Sequence, residues 1–165
     1  MITHGHGDHT AFLDNYVKDY PRATILGHPD SKLKERYSNF KKVDNNQEFV
    51  IGEMRYKCIH TPGHYFDSIC YQISPVLFTG DTMFVGRTGR IKGKYSSIED
   101  LYDSIYNKIL KMPGNTKVYP GHDYGDKPNI TLEENILNSP LLSANSLDDF
   151  KKRMDDYEKN REIGS

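Results

Sequence analysis

Hydrophobic and polar positions along this chain fall into short blocks, and the blocks switch between the helical and the strand period. In residues 12–20, apolar side chains recur at helical spacing, and Pro21 ends that segment. The next apolar block, 23–26, is short and runs into a Gly-His-Pro turn, which predicts a strand. The polar, lysine-rich stretch 30–46 predicts one short helix and a connection.

The middle of the chain has the period of β-strands. Residues 49–51 lead into a Gly-Glu turn, and 54–58 then alternate between apolar and basic side chains, as in a strand with one face in water. Two further strands are predicted at 68–73 and 76–79, and a loop rich in glycine and basic residues at 85–95. These patterns predict a sheet built largely from consecutive strands.

Helical patterns dominate the second half. Ser96 and Glu99 form a capping box that predicts a helix start, and the apolar face that follows ends before Pro113. A strand is predicted at 117–119. Two later helices follow, one from a capping box of Thr131 with Glu134 and one amphipathic helix over about 147–160, which starts from Ser146. Strands interleaved with helices predict an α/β layered fold, with residues 1–165 as a single domain.

Composition narrows the set of partners. The chain has 165 residues, and 22 basic against 23 acidic residues give a net charge of −1. There is no basic stripe for a phosphate backbone, so we expect no nucleic-acid partner, and no apolar run is long enough for a membrane span. Neither a signal-peptide pattern after Met1 nor a CxxC pair is present, which favours a cytoplasmic protein in which Cys58 and Cys70 are buried, reduced thiols.

Potential metal ligands follow three of the predicted strands. His64 comes after the strand that begins at residue 54, Asp81 directly after 76–79, and His122 after 117–119. Loops at strand ends can bring such side chains together at one edge of a sheet. A single histidine in a turn normally hydrogen-bonds to backbone or water, and a single aspartate normally caps a turn or helix. The prediction of a metal site therefore depends on the three residues occurring together.

The segment His4-Gly5-His6-Gly7-Asp8-His9 adds four potential ligands within six residues. We expect an extended loop here, in which His4 and His6 point the same way, Asp8 continues that series and His9 projects differently. One short segment can therefore supply ligands to two adjacent metals. The pattern is specific because four ligand side chains rarely fall at this spacing.

Imidazole and carboxylate ligands suit Zn²⁺, which we expect first, and they equally suit Fe²⁺ or Mn²⁺. No thiolate belongs to the set, which disfavours a structural zinc knuckle. Seven ligands exceed one closed tetrahedral site but fit two open sites, where a carboxylate and a hydroxide bridge metals roughly 3.5 Å apart. Such a pair lowers the pKa of bound water toward ~7 and makes a nucleophile at neutral pH.

Four segments match, in order, the motifs of the metallo-β-lactamase superfamily: Thr3-His4-Gly5-His6-Gly7-Asp8-His9, Thr61-Pro62-Gly63-His64, Thr79-Gly80-Asp81-Thr82 and Tyr119-Pro120-Gly121-His122-Asp123-Tyr124. The chain most resembles the branch with hydroxyacylglutathione hydrolase (glyoxalase II) and persulfide dioxygenase, from residue 2 to about residue 142. The resemblance implies an αβ/βα sandwich with the metals at one edge of its two sheets.

The resemblance also implies roles for individual residues. A bridging hydroxide would attack a thioester or ester carbonyl, with Asp8 as a proton acceptor and Asp81 as the bridging, catalytic carboxylate. By motif position, the metal ligands would be His4, His6 and His64 for one metal and Asp8, His9 and His122 for the other, with Asp81 shared.

Substrate contacts follow from the same resemblance. Arg90 and Tyr124 match the basic residue and the tyrosine that hold the glutathione part in glyoxalase II-like enzymes, so the expected substrate is a small thioester or ester, such as a glutathione conjugate. Lys92 stands where an aromatic residue is usual, which departs from a strict glutathione pocket. Tyr65 stands where the branch usually has threonine, and its bulk would narrow the entrance of the site.

The sequence also permits three other functions. One is a mononuclear iron persulfide dioxygenase with His4, His64 and Asp81 as a facial triad. The segment 89–92 differs from the "GRTD" of those dioxygenases and favours hydrolysis, whereas 101–138 resembles them too. A nuclease is disfavoured by the net charge.

The third is a non-catalytic or inactive fold. In the superfamily, the histidine-rich motif follows several strands, whereas only two residues precede it here. We therefore expect an N-terminally truncated domain that lacks its first strands. A homodimer could cover apolar faces that such strands would otherwise shield.

Overall fold

In the first part of the chain, two parallel strands form a small sheet. The computed structural model describes residues 1–163, with side chains for residues 1–160. The strands of this small sheet are β1 (Ile25–Gly27) and β2 (Phe40–Lys42). The apolar block at 23–26 predicted β1, but β2 was not predicted, because its Phe-Lys-Lys sequence lies in a polar stretch without alternation.

Six strands in the order β3-β4-β5-β6-β7-β8 form the main sheet. They are β3 (Glu48–Ile51), β4 (Met54–His60), β5 (Ile69–Ile73), β6 (Val76–Gly80), β7 (Lys117–Pro120) and β8 (Ile130–Thr131). All neighbours are antiparallel except β6 and β7, which are parallel. Since β4 and β6 both run antiparallel to β5, the carboxyl ends of β4, β6 and β7 lie at the same edge of the sheet.

Helices connect and cover these strands. They are α1 (Gly7–Thr10), α2 (Leu13–Asp19), α3 (Leu33–Arg36), α4 (Ile98–Tyr102), α5 (Leu132–Asn138) and α6 (Leu147–Ile163). The chain continues from α4 as a π-helical segment (Asp103–Lys108) and a 3₁₀ turn (Ile109–Lys111), and a second 3₁₀ turn is Pro140–Leu142. Among the described residues, no helix combines the length and the apolar character needed to cross a membrane.

Two local expectations were wrong. The segment around Asp8 is not extended throughout, because Gly7–Thr10 forms the helical turn α1, in which the backbone N–H of His9 donates to the carbonyl of His6 at 3.2 Å. Asp8 therefore does not continue the series of His4 and His6. The helix dipole favours an acidic side chain such as Asp8 in the first turn of a helix. The sequence did not predict this turn because two glycines closely precede Asp8, and glycine disfavours helix.

The start of α4 is the second correction. Ser97, and not Ser96, caps this helix, and its hydroxyl accepts the Asp100 N–H at 3.1 Å. Both serines precede an acidic residue by three positions, so the local sequence permits either register. A tertiary bond decides between them, because the Ser97 N–H donates to the carbonyl of Gly63 at 2.8 Å. Thr131 was confirmed as the cap of α5, since its hydroxyl accepts the Glu134 N–H at 3.3 Å, while the Glu134 carboxylate pairs with Lys127.

The core lies between the main sheet and the helices α4 to α6. Leu77 and Val118 of the sheet are fully buried, and so are Leu101 and Ile105 from the predicted apolar face and Phe150 of α6. The thiols Cys58 and Cys70 are buried and unpaired, as expected, and burial raises the pKa of each thiol to about 11.

Helix α2 is confirmed, but its apolar side is only partly covered. Leu13 is buried, whereas Phe12, Tyr16 and Tyr20 are 69%, 62% and 62% exposed. The helical period therefore predicted the element correctly without predicting how much of its face packs on the small sheet.

Candidate metal centre

The edge at the carboxyl ends of β4, β6 and β7 carries three of the predicted ligands. Asp81 directly follows β6, and His64 and His122 lie in the turns after β4 and β7. The turns of β6 and β7 are joined, because the Gly121 N–H donates to the carbonyl of Gly80 at 2.9 Å. The parallel pairing of these strands therefore sets Asp81 and His122 side by side.

A first ligand group consists of His4, His6 and His64. Nε2 of His4 lies 3.0 Å from Nδ1 of His6, which in turn lies 3.1 Å from Nε2 of His64. Nitrogen ligands at the usual Zn–N distance in a tetrahedral site lie roughly 3.4 Å apart. The three imidazoles thus converge on a point as the ligands of one metal do.

A second ligand group consists of Asp8, His9 and His122. Nε2 of His122 lies 3.1 Å from Nε2 of His9 and 3.3 Å from Oδ2 of Asp8. The turn α1 makes this possible, since it directs Asp8 and His9 toward His122, while the centroid of the His9 ring stays 4.1 Å from that of the His4 ring.

Asp81 lies between the two groups. Its Oδ1 is 3.1 Å from Nε2 of His9, and its Oδ2 is 3.6 Å from Nε2 of His122 and 3.7 Å from Nε2 of His64. Oδ1 is buried, and no described side chain meets the geometry of a hydrogen bond to it. A buried carboxylate oxygen without a donor is costly unless a cation satisfies it, so the donor set fits a metal at this position.

Burial would lower the pKa of His9, but the adjacent Asp81 carboxylate outweighs it and raises that pKa, whereas for two other histidines burial dominates. Burial lowers the pKa of His4 to about 3 and also lowers the pKa of His64, so these rings are neutral at pH 7. Burial alone would raise the pKa of Asp81, but the adjacent His9 ring outweighs it and holds that pKa below its usual value. Neutral imidazole and ionised carboxylate are the forms that bind metal.

Backbone and side-chain partners orient the ligands from behind. Nδ1 of His64 lies 2.9 Å from the carbonyl oxygen of Arg90, to which it can donate while Nε2 faces the centre. The Asp67 carboxylate accepts the Gly5 N–H at 3.1 Å and so fixes the peptide between His4 and His6. Such outer contacts set ring orientation and tautomer in metal sites.

Two glycines permit the close approach of these loops. Gly63 has φ +137°, and a Cβ there would lie 2.3 Å from the Cα of Leu101 in α4. At Gly121, a Cβ would lie 2.6 Å from Oδ1 of Asp81 and 2.7 Å from the His9 ring. Any side chain at either position would displace a ligand loop.

The predicted substrate residues lie beside the ligands. The ring of Tyr124 stacks on that of His122, with centroids 4.9 Å apart, and lines the same pocket as Arg90. The Arg90 side chain is exposed, and its described contact is made by the backbone carbonyl. The Tyr65 ring packs 4.3 Å from that of His6, at the edge of the site where narrowing was expected.

Arg87 and Asp67 were missed by the sequence reasoning. Arg87 lines the pocket with the ligands, and its guanidinium lies 4.4 Å from the centroid of the Tyr124 ring. The 85–95 loop holds several basic residues, and nothing in the pattern distinguishes Arg87 from them. The buried Asp67 resembled any polar turn residue, because its partner Gly5 is 62 positions away.

Comparison with known proteins agrees with the geometry. The model of the metallo-beta-lactamase superfamily matches residues 1–122. The chain is 31% identical over 134 residues, 81% of its length and 60% of the relative's, to the probable polyketide biosynthesis zinc-dependent hydrolase PksB of Bacillus subtilis. It is 34% identical over 129 residues, 75% of its length and 48% of the relative's, to a hydroxyacylglutathione hydrolase of Francisella tularensis subsp. novicida.

A solved structure shows the same fold. ETHE1 from Myxococcus xanthus superposes with a TM-score of 0.76 at 28% identity, over 93% of this chain and 66% of that one. The chain spans between about half and about two thirds of the length of these relatives. The expected α/β fold class is confirmed, and the chain belongs to the metallo-β-lactamase superfamily.

Proposed function

We propose that this chain is a two-metal hydrolase of small thioesters or esters. The observation that carries the proposal is the convergence of two ligand groups with the Asp81 carboxylate between them. A single closed site would leave half of these side chains without a purpose, whereas two adjacent open sites use all of them.

Each residue then has a defined task. His4, His6 and His64 would hold one divalent metal and Asp8, His9 and His122 the other, with Asp81 shared between them. When bound, Zn²⁺, Fe²⁺ or Mn²⁺ ions at these positions lower the pKa of water and polarise a carbonyl oxygen. Asp8 is the more accessible carboxylate, with a side chain 61% exposed, and is placed to accept a proton at the mouth of the pocket.

The substrate class rests on the relatives and on the pocket wall. One relative is named as a hydrolase of hydroxyacylglutathione and another as a zinc-dependent hydrolase, and each is at least 31% identical to this chain. Tyr124 and Arg90 line the pocket into which the candidate ligands open, where a thiol carrier such as glutathione would lie. We therefore propose a hydroxyacylglutathione-type thioester as the first substrate to test.

The test combines metal content with turnover of S-lactoylglutathione. The wild-type chain should hold about two zinc ions and hydrolyse the thioester. Asp81→Ala should lose metal and at least about 100-fold of kcat/KM together, because it removes the shared ligand. The exposed Asp19 at the end of α2 supplies the control Asp19→Ala, which should match the wild type in both measurements.

Two outcomes would overturn the proposal. Full activity in Asp81→Ala contradicts a shared carboxylate ligand. One iron per chain, with oxygen uptake that depends on a thiol, would instead establish the mononuclear dioxygenase.

A further inference from the structure

Arg87 stands in the wall of the pocket that the two ligand groups open into. Its guanidinium lies 4.4 Å from the centroid of the Tyr124 ring and 5.5 Å from that of Phe84, and it donates to the Tyr157 hydroxyl at 3.1 Å. Rings of the loops and a hydroxyl of α6 thus fix the side chain from two sides. The half-buried Arg87 is therefore ordered in advance of any ligand, unlike the exposed Arg90.

Arg87 has no acidic partner among the described residues. Three of the other arginines differ in this respect: Arg36 pairs with Asp14, Arg55 with Glu48 and Arg153 with Asp149. The nearby carboxylates of the pocket, Asp8 and Asp81, face the histidines instead. A fixed guanidinium without a counter-charge leaves most of its N–H donors available to an anion.

We propose that Arg87 is a specificity-determining residue that binds an oxyanion of the substrate, so that the enzyme prefers thioesters with a carboxylate or phosphate near the scissile bond. The inference rests on the proposed function and adds a charge requirement to it. The planar fork of arginine matches both anions in a bidentate manner, and stacking on Tyr124 leaves the edge of the fork free to bind.

Tyr157 gives α6 a part in this recognition. Its hydroxyl orients the guanidinium of Arg87. The next residue of α6, Glu158, pairs at 3.2 Å with Lys92, which lies in the same 85–95 loop as Arg87. Tyr157→Phe keeps the ring but removes the hydroxyl, so it should weaken the preference for anions less than the loss of Arg87 does.

The test uses two matched pairs of thioesters. S-acetyl-N-acetylcysteine and its carboxamide differ in a carboxylate, and the phosphate monoester of S-acetyl-2-mercaptoethanol and S-acetyl-2-mercaptoethanol differ in a phosphate close to the scissile bond. For the wild type we expect kcat/KM about 10- to 100-fold higher for the anionic member of at least one pair, mainly through KM. Arg87→Ala should remove this preference, and Arg87→Lys should retain part of it.

Controls separate charge recognition from damage to the centre. Arg55 lies at the far end of β4 from the ligands, so Arg55→Ala should keep the wild-type preference. Zinc content of Arg87→Ala should equal that of the wild type, because Arg87 touches no ligand side chain among the described contacts.

Binding of a ketone analogue, S-acetonyl-N-acetylcysteine, and of its carboxamide tests the inference without turnover. Tighter binding of the acid by the wild type, lost in Arg87→Ala, supports it. Equal kinetics and binding within both pairs overturn the role of Arg87 while leaving a hydrolase. Absence of hydrolysis for all four thioesters and for S-lactoylglutathione overturns the proposed function, and the ketone pair then decides only whether Arg87 binds an anion.

Discussion

At the scale of single residues, the centre depends on contacts made behind the ligands. The Asp67 carboxylate is 2% exposed and accepts the N–H of Gly5, the residue between His4 and His6. This bond fixes the peptide from which both histidines project. Because ring direction decides whether three nitrogens meet at one point, a residue that touches no metal still affects metal affinity.

We therefore predict that Asp67→Ala lowers the affinity of the first ligand group for Zn²⁺ by about 10- to 100-fold. Competition with a chromogenic chelator measures this directly. Asp67→Asn retains an acceptor oxygen of the same size and should remain closer to the wild type. Wild-type affinity in the alanine variant would show that Gly5 needs no anchor.

At the scale of elements, the turns after β4, β6 and β7 do most to form the site. They bring His64, Asp81 and His122 together because the three strands end at one edge of the main sheet. The turn after β4 also packs directly on α4, where Gly63 approaches the Leu101 backbone. The register of α4 and the position of His64 are therefore set by the same contact.

Gly63→Ala should lower the free energy of unfolding by at least about 2 kcal/mol, because a methyl group meets α4 backbone at a left-handed φ. Urea unfolding followed by far-UV circular dichroism measures the change. Gly93 is the matched control, since a Cβ there meets nothing within 4 Å, and Gly93→Ala should stay within about 0.5 kcal/mol. Similar stability of the two variants would contradict the tight contact.

Elements with a clear period were predictable, and those decided by distant contacts were not. The hairpin β3-β4 and the helix α4 follow from alternation and from an apolar helical face. The strand β8 has only two residues and no pattern of its own. The choice of Ser97 as the cap of α4 depends on the bond that its N–H donates to the carbonyl of Gly63, which the local sequence does not reveal.

The same distinction holds within the site. The positions of the candidate ligands were predictable, because histidines and aspartates at fixed places after strands are a local pattern. Arg87 was not, because its anchor Tyr157 lies 70 positions away on α6. The role of a residue that depends on packing between distant segments of the chain can be recognised only from the structure.

At the scale of the whole molecule, we expect metal binding and folding to be coupled. The buried ring of His4, the half-buried rings of the other candidate ligands and the buried Oδ1 of Asp81 meet where the N-terminal segment, the main sheet and the turn after β7 come together. Ions that bind these groups only in the folded state add to its stability. Without these ions, the folded state holds several ring nitrogens and a carboxylate close together with no cation between them.

Removal of metal should therefore destabilise the whole chain. We expect dialysis against a chelator to lower the melting temperature by several degrees, and added Zn²⁺ to restore it. Differential scanning calorimetry at matched ionic strength provides the measurement. In Asp81→Ala, Zn²⁺ should restore much less of the transition, and an equal response in that variant would separate the stabilising ions from this centre.

Anomalous X-ray diffraction from zinc-loaded crystals at the zinc edge would show whether two metals lie in the two ligand groups and share Asp81. We predict two anomalous peaks roughly 3.5 Å apart. One should lie within about 2.1 Å of the converging nitrogens of His4, His6 and His64, and the other should lie at Asp8, His9 and His122. A single peak at full zinc occupancy, or peaks away from these side chains, would contradict the account.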